Sequence, residues 1–143
     1  MESVVDSSAI VCVMLHEADA PVYARALAVA KSPLISAFTL FETKTVLQSR
    51  KGQAPLAVLD RMLARMEARI IAFDLDQIEH ALAAYRLYGK GSGHRAQLNL
   101  GDCASYALAS SRGLPLLYKG DDFAATDIRP ALPLLLPHGR GDA

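Results

Sequence analysis

Residues 98–123 read LNLGDCASYALASSRGLPLLYKGDDF. Asn99 is a good helix-capping type, and small and apolar residues follow it until Gly113 and Pro115 stop the helix. The next residues, LPLLY (114–118), form a short apolar run of the kind found in a fully buried strand. Asp102 stands in the first turn of that helix, and Asp121 and Asp122 stand just past that strand. A largely apolar helix and a short apolar strand, marked at their joints by carboxylates, suggest a parallel α/β sheet with a site on its rim.

Working outward, the same alternation recurs. Val4–Val5 read as a strand ending at Asp6, with Ser7 or Ser8 capping a helix through AIVCVML. Helices follow over about 20–31, about 37–50 and from Pro55 onward, with strands at 34–36 and 69–73. Asp76 and Glu79 form a capping-box pattern that opens a helix closed at Gly89. The Gly-rich polar stretch 90–99 is a loop, and the Pro-interrupted run 131–137 reads as a last strand at a sheet edge. The expectation is therefore an α/β fold whose central parallel sheet has about five short strands, covered by helices on both faces.

The totals fit one domain. The chain has 143 residues, 52% hydrophobic and 21% charged, so a core is available without staples and global disorder is excluded. The domain is expected over 1–137, with 138–143 as a loose tail. No apolar run reaches the ~18–20 residues of a membrane span, and the N-terminus lacks a basic signal-peptide region. Cys12 and Cys103 make no C-x-x-C and read as buried reduced thiols, so a cytoplasmic protein is expected. The formal net charge of zero argues against indiscriminate nucleic-acid binding but leaves a local basic strip open.

In open parallel sheets, ligands sit outside the carboxyl ends of the strands, and the helices start from that same edge. Asp6, Glu42, Asp102 and the Asp121–Asp122 pair can therefore meet at one rim. Gathered carboxylates repel one another, and a hard divalent cation relieves the repulsion; oxygen-only ligands suit Mg²⁺ or Mn²⁺. Each acid also has an ordinary explanation: Asp102 as a helix-dipole partner, Asp6 as a turn residue, Glu42 as a surface glutamate, Asp121–Asp122 as a polar turn. It is the set, in this order and at these joints, that points to a site.

The pieces VVDSSAIVCVML (4–15), ISAFTLFETKTVL (35–47), LNLGDCASYALA (98–109) and LPLLYKGDDF (114–123) together resemble a PIN-domain ribonuclease, and more narrowly a VapC-type toxin of a bacterial toxin–antitoxin pair. The resemblance implies a three-layer α/β/α PIN-like fold and Mg²⁺- or Mn²⁺-dependent endoribonuclease activity. It implies Asp6 and Asp102 as direct metal ligands, with Glu42 and Asp121 completing the acidic set directly or through water. Asp122 competes with Asp121 for the fourth place. Products would carry a 5′-phosphate and a 3′-hydroxyl, and the RNA would be tRNA or another translation-related RNA. A cognate antitoxin and a homodimer are the implied protein partners. Ser8 matches a small polar position that supports the site in relatives, although it also suits a helix cap. One departure is Leu117-Tyr118-Lys119, where many relatives place Thr or Ser before the fourth acid.

Arg61, Arg65 and Arg69 repeat every four residues as a stripe along one helix face, Arg50 and Lys51 end a helix, and Lys90, His94 and Arg95 lie in the loop leading to Asp102; these are the candidate RNA contacts. Phe38, Phe41, Leu47, Leu56, Leu59 and Met62 are candidates for an antitoxin groove. Two other classes compete with the nuclease reading. One is a non-catalytic PIN-like binding module. The other is a haloacid-dehalogenase-like phosphatase, which needs a second acid where this chain has Ser8.

Overall fold

The computed structural model describes residues 1–138. In chain order the elements are β1 (Val4–Val5), α1 (Ser7–Met14), α2 (Ala20–Val29), β2 (Leu34–Ser36), α3 (Ala37–Lys51), α4 (Ala54–Arg65), β3 (Arg69–Ile71), α5 (Leu75–Tyr88), α6 (Leu100–Arg112), β4 (Leu116–Leu117) and α7 (Leu132–Leu135). The four strands make one parallel sheet in the order β3-β2-β1-β4. Alternate strand residues point to opposite faces. Val4, Leu34 and Leu116 join one core with α5, α6 and Phe123, while Val5, Ile35 and Leu117 join a second with α1, α2 and α4. Two apolar faces on strands of two or three residues account for the unbroken hydrophobic runs in the sequence, and the expected three layers are present.

The strand order places the site. The chain steps outward from β1 to β2 to β3, then returns to set β4 on the other side of β1. The boundary between β1 and β4 is thus the topological switch point, where the loops leaving the two strands part and open a crevice. Val5 pairs with Leu117, so Asp6 and the turn after β4 emerge side by side. Helix α6 runs beneath this crevice and is buried along its whole first two-thirds, from Gly101 to Ala109. Gly, Ala, Ser and Cys dominate that stretch, which lets its backbone lie close to the sheet.

Several local expectations shift. The run 131–137 does not form a fifth strand: after a single bridge between Pro130 and Leu116, residues 132–135 turn into α7. Pro133 sits in the first turn of that helix, where its missing N–H and fixed φ are tolerated, whereas a ladder would have needed the donor. α5 is capped by Asp74, whose carboxylate accepts the Gln77 N–H at 3.0 Å, so Asp76 falls inside the first turn. α1 is capped by Asp6 itself and not by Ser7 or Ser8. α4 ends at Arg65, and Arg69 heads β3, so the supposed three-arginine stripe is not one helix face. The expected tail, beyond His138, lies outside the described residues. Among those residues no helix is long and apolar enough to cross a membrane.

Phe123 anchors the turn after β4: it is 1% exposed, and its ring meets that of Tyr118 at 5.1 Å between centroids. Phe123→Ala should lower the unfolding free energy by about 3–5 kcal/mol in urea titrations, the range for deleting a buried aromatic. A loss below about 1 kcal/mol would show that the turn holds its place without this anchor.

Candidate active site

Asp6 is the centre of the crevice. It closes β1, caps α1 and is 2% exposed. Both carboxylate oxygens are gripped by serines: Ser105 Oγ donates to Oδ1 at 2.6 Å, and Ser8 Oγ donates to Oδ2 at 2.6 Å, with the Ser8 N–H adding a third bond at 3.0 Å. Ser8 Oγ in turn accepts the Lys119 N–H at 3.0 Å, tying the end of β1 to the end of β4. Burial pushes the Asp6 carboxyl above its usual range, and the bonds from Ser105 and Ser8 pull against that rise.

Asp102 rises from α6 toward the same point. It is held by a reciprocal capping box: its N–H donates to Asn99 Oδ1 at 2.8 Å, and its Oδ2 accepts the Asn99 N–H at 3.1 Å. The cap explanation for Asp102 therefore holds; the cap occupies Oδ2 and not Oδ1, which leaves the site explanation open beside it. Burial first, then the charges of Asp6 and Asp122, push its pKa up to about 7, against the Asn99 N–H. Glu42 comes from α3, and its Oε1 accepts a hydrogen bond from Ser7 Oγ at 2.9 Å. Burial raises its pKa, with the Asp6 charge adding to the rise and Ser7 opposing it. Its carboxylate lies directly over Gly101, where a Cβ would stand 2.0 Å from Oε2, so only glycine fits at that position while Glu42 keeps this pose.

Asp122, exposed in the turn after β4, adds its negative charge to those that raise the Asp102 carboxyl. The interaction of Asp121 is instead with Tyr118, whose hydroxyl pKa rises through burial and then through the Asp121 charge. Asp6, Glu42 and Asp102 thus influence one another, the Asp122 charge acts on Asp102, and the Asp121 charge acts on Tyr118.

Lys119, at the place where the sequence departs from many relatives, sends its side chain away from the crevice. Its ammonium pairs with Asp19 at 2.8 Å and with Glu17, which hold its pKa above the usual lysine range. Cys12, Glu17 and Asp19 bring ligand atoms within 4.8 Å of one another, a spacing that would suit a metal. The Lys119 ammonium already supplies the positive charge there, and the Cys12 thiol, donating to Asp19 at 3.3 Å, is pushed up to about 12 mainly by burial. In contrast, no Lys or Arg among the described residues pairs with Asp6, Glu42 or Asp102.

Other residues read from the sequence fall as follows. Lys90 and Arg95 are exposed in the loop before α6, a loop pinned at its base by bonds between Lys90 N and Leu98 O and between Leu98 N and Tyr88 O. His94 is committed to that loop: its Nδ1 accepts the Ala96 N–H, and its ring meets Tyr88 edge-on. Leu47 and Leu59 are fully buried core and so belong to no exposed groove. Phe38 and Phe41 line a cleft of about 420 Å³ with Glu42 and Leu100, while Met62 lines another of about 560 Å³ between α1, α2 and α4. Ser7, Asn99, Gly101 and Ser105 were not singled out as site residues. Ser105 had a signal, since three residues after Asp102 is the same helix face.

The comparisons agree with this geometry. Residues 3–129 match the PIN domain family. Ribonuclease VapC42 of Mycobacterium tuberculosis is 45% identical over 128 residues, covering 90% of this chain and 98% of its own. Ribonuclease VapC of Mycolicibacterium smegmatis is 44% identical over 125 residues, covering 87% and 96%. Among solved structures, Mycobacterium tuberculosis VapC20, described as a Sarcin-Ricin loop cleaving toxin, superposes with a TM-score of 0.71 at 20% identity over 91% of this chain and all of its own. A chain of a toxin–antitoxin complex from Klebsiella pneumoniae superposes at 0.64 and 19% identity over 87% of this chain and 92% of its own. The chain belongs to the PIN-domain family and, within it, to the VapC ribonucleases.

Proposed function

We propose that the protein is the toxin of a toxin–antitoxin pair, an endoribonuclease that hydrolyses RNA phosphodiesters with the help of Mg²⁺ or Mn²⁺. The observation that carries this reading is the group Asp6, Glu42, Asp102 and Asp122 at the switch point, with burial raising the first three and the Asp6 charge adding to the rise in Glu42 and Asp102. The donor set is all carboxylate oxygen, which fits a hard divalent cation, and among the described residues no Lys or Arg pairs with the buried Asp6 and Asp102 or the half-buried Glu42. A cation held there supplies Lewis-acid stabilisation to a phosphodiester and lowers the pKa of an attacking water.

Asp6 and Asp102 are the residues assigned to hold the cation. Asp122 takes the fourth place in preference to Asp121, because its charge is the one that acts on Asp102. Glu42 keeps Oε1 on Ser7 and leaves Oε2 to accept a proton from the attacking water. Lys90 and Arg95 are offered to the RNA backbone; His94, turned onto Tyr88, is not. In-line attack would leave a 5′-phosphate and a 3′-hydroxyl. The RNA is assigned to the translation-related class, tRNA or another such RNA, and the compartment to the cytoplasm. An antitoxin segment with an amphipathic face suits the apolar cleft beside Met62, and a second copy of the chain suits the exposed Phe41 and Leu100.

Asp102→Asn should keep the fold and reduce Mn²⁺-dependent cleavage of RNA by more than ~100-fold, assayed with protein free of contaminating nuclease. Full activity in that variant removes the reading.

The same variant tests the electrostatics. The Asp102 pKa is raised in the folded state, from 3.8 to about 7, so the group contributes stability below its unfolded value and loses it as pH rises through the folded one. In metal-free protein the melting temperature of Asp102→Asn relative to wild type should therefore climb between pH 4 and pH 8, and saturating Mn²⁺ should abolish the trend in the wild type.

Gly101→Ala should separate geometry from stability. The clash is with the far end of the flexible Glu42 side chain, so folding should change by less than about 1 kcal/mol. Displacement of Glu42 should lower cleavage by at least ~10-fold. Unchanged cleavage would mean that Glu42 acts from another position.

A further inference from the structure

We propose that Ser105, oriented by Thr39, is a positioning residue for the catalytic carboxylate of Asp6; the inference rests on the ribonuclease reading above. Ser105 is fully buried on α6, and Thr39 is fully buried on α3. Their hydroxyl oxygens lie 3.1 Å apart, and Ser105 Oγ lies 2.6 Å from Asp6 Oδ1. An ionised carboxylate can only accept, so the single hydroxyl proton of Ser105 goes to Asp6. Thr39 must then donate to Ser105. The result is a one-directional relay from Thr39 through Ser105 to Asp6, entirely inside the protein.

The relay has a consequence for the site. Ser8 holds the other oxygen of Asp6 from the α1 side, also at 2.6 Å. With a serine on each oxygen, the carboxylate plane is held from both sides. Ser105 and Asp102 share one face of α6, so one helix both supplies an acid and sets the orientation of its opposite number on β1. Removing the Ser105 hydroxyl frees Asp6 to rotate and strips a donor from a buried charge.

The test uses the full chain with Mn²⁺ as the probe, titrated calorimetrically, alongside RNA cleavage and thermal melting. Ser105→Ala should weaken Mn²⁺ binding by ~10–100-fold, the range seen when a partner behind a metal ligand is lost, and should lower kcat with little change in KM for RNA. Thr39→Val, which keeps shape but removes the hydroxyl, should weaken binding less, and Thr39→Ser should retain wild-type binding. If wild type fails to bind Mn²⁺, the ribonuclease reading is what falls. If wild type binds and Ser105→Ala binds within twofold of it, the positioning role is overturned. Should Ser105→Ala fail to fold, the Thr39 pair decides: equal Mn²⁺ affinity for Thr39→Val and Thr39→Ser overturns the relay.

Discussion

The structure depends on keeping the Asp6 carboxylate buried between the ends of β1 and β4. That one group caps α1, accepts three hydrogen bonds and stands at the switch point of the sheet. A buried carboxylate is unfavourable unless its oxygens are bonded, and here each oxygen has a hydroxyl donor at 2.6 Å. The donors come from α1 and α6, and Ser8 is itself bonded to the chain leaving β4. Three separate segments therefore converge on one charge, and the register of Val5 against Leu117 is what brings them there.

Two acidic groups in this molecule meet their repulsion in opposite ways. Glu17 and Asp19 enclose the Lys119 ammonium, which lowers the Asp19 pKa and makes the group self-contained. Asp6, Glu42 and Asp102 have no such internal cation among the described residues, and all three are raised. Such a state favours protonation or an external cation. The two groups touch through Lys119, whose side chain serves the first while its backbone N–H supports Ser8 in the second. The Leu-Tyr-Lys departure thus leaves the crevice supported by a main-chain donor, which any residue but proline could supply.

What was legible in the sequence was what topology alone dictates. Asp6, Glu42 and Asp102 could be placed on one rim because a parallel sheet forces strand ends and helix starts to the same edge. The choice between Asp121 and Asp122 was not legible. Both follow Gly120, whose φ of +97° turns the chain there, and the direction of each adjacent side chain depends on backbone angles that residue type does not encode. The caps were misplaced for a related reason. Asp6, Ser7 and Ser8 are all capping types, as are Asp74 and Asp76, and the backbone selects between neighbours by φ and ψ, which residue type does not encode. The run 131–137 is apolar enough for a strand, but Pro133 resolves it as helix.

Packing and chemistry are one constraint in α6. Asp102 and Ser105 share the face of α6 that meets Asp6, and the small buried residues Gly101, Ala104, Ala107 and Ala109 let the helix sit close to its neighbours on every side. A larger residue at these buried positions would have to shift the helix, and with it the Ser105–Asp6 bond. Gly101 shows the same limit from the other side, since the space a methyl would fill is already taken by the Glu42 carboxylate. The small residues of LNLGDCASYALA are therefore read correctly only when treated as distances. They fix how deeply and how near one another the carboxylates of β1, α3 and α6 can sit, and burial first, with the Asp6 charge acting on Glu42 and Asp102, produces the electrostatic demand on which the proposed chemistry rests.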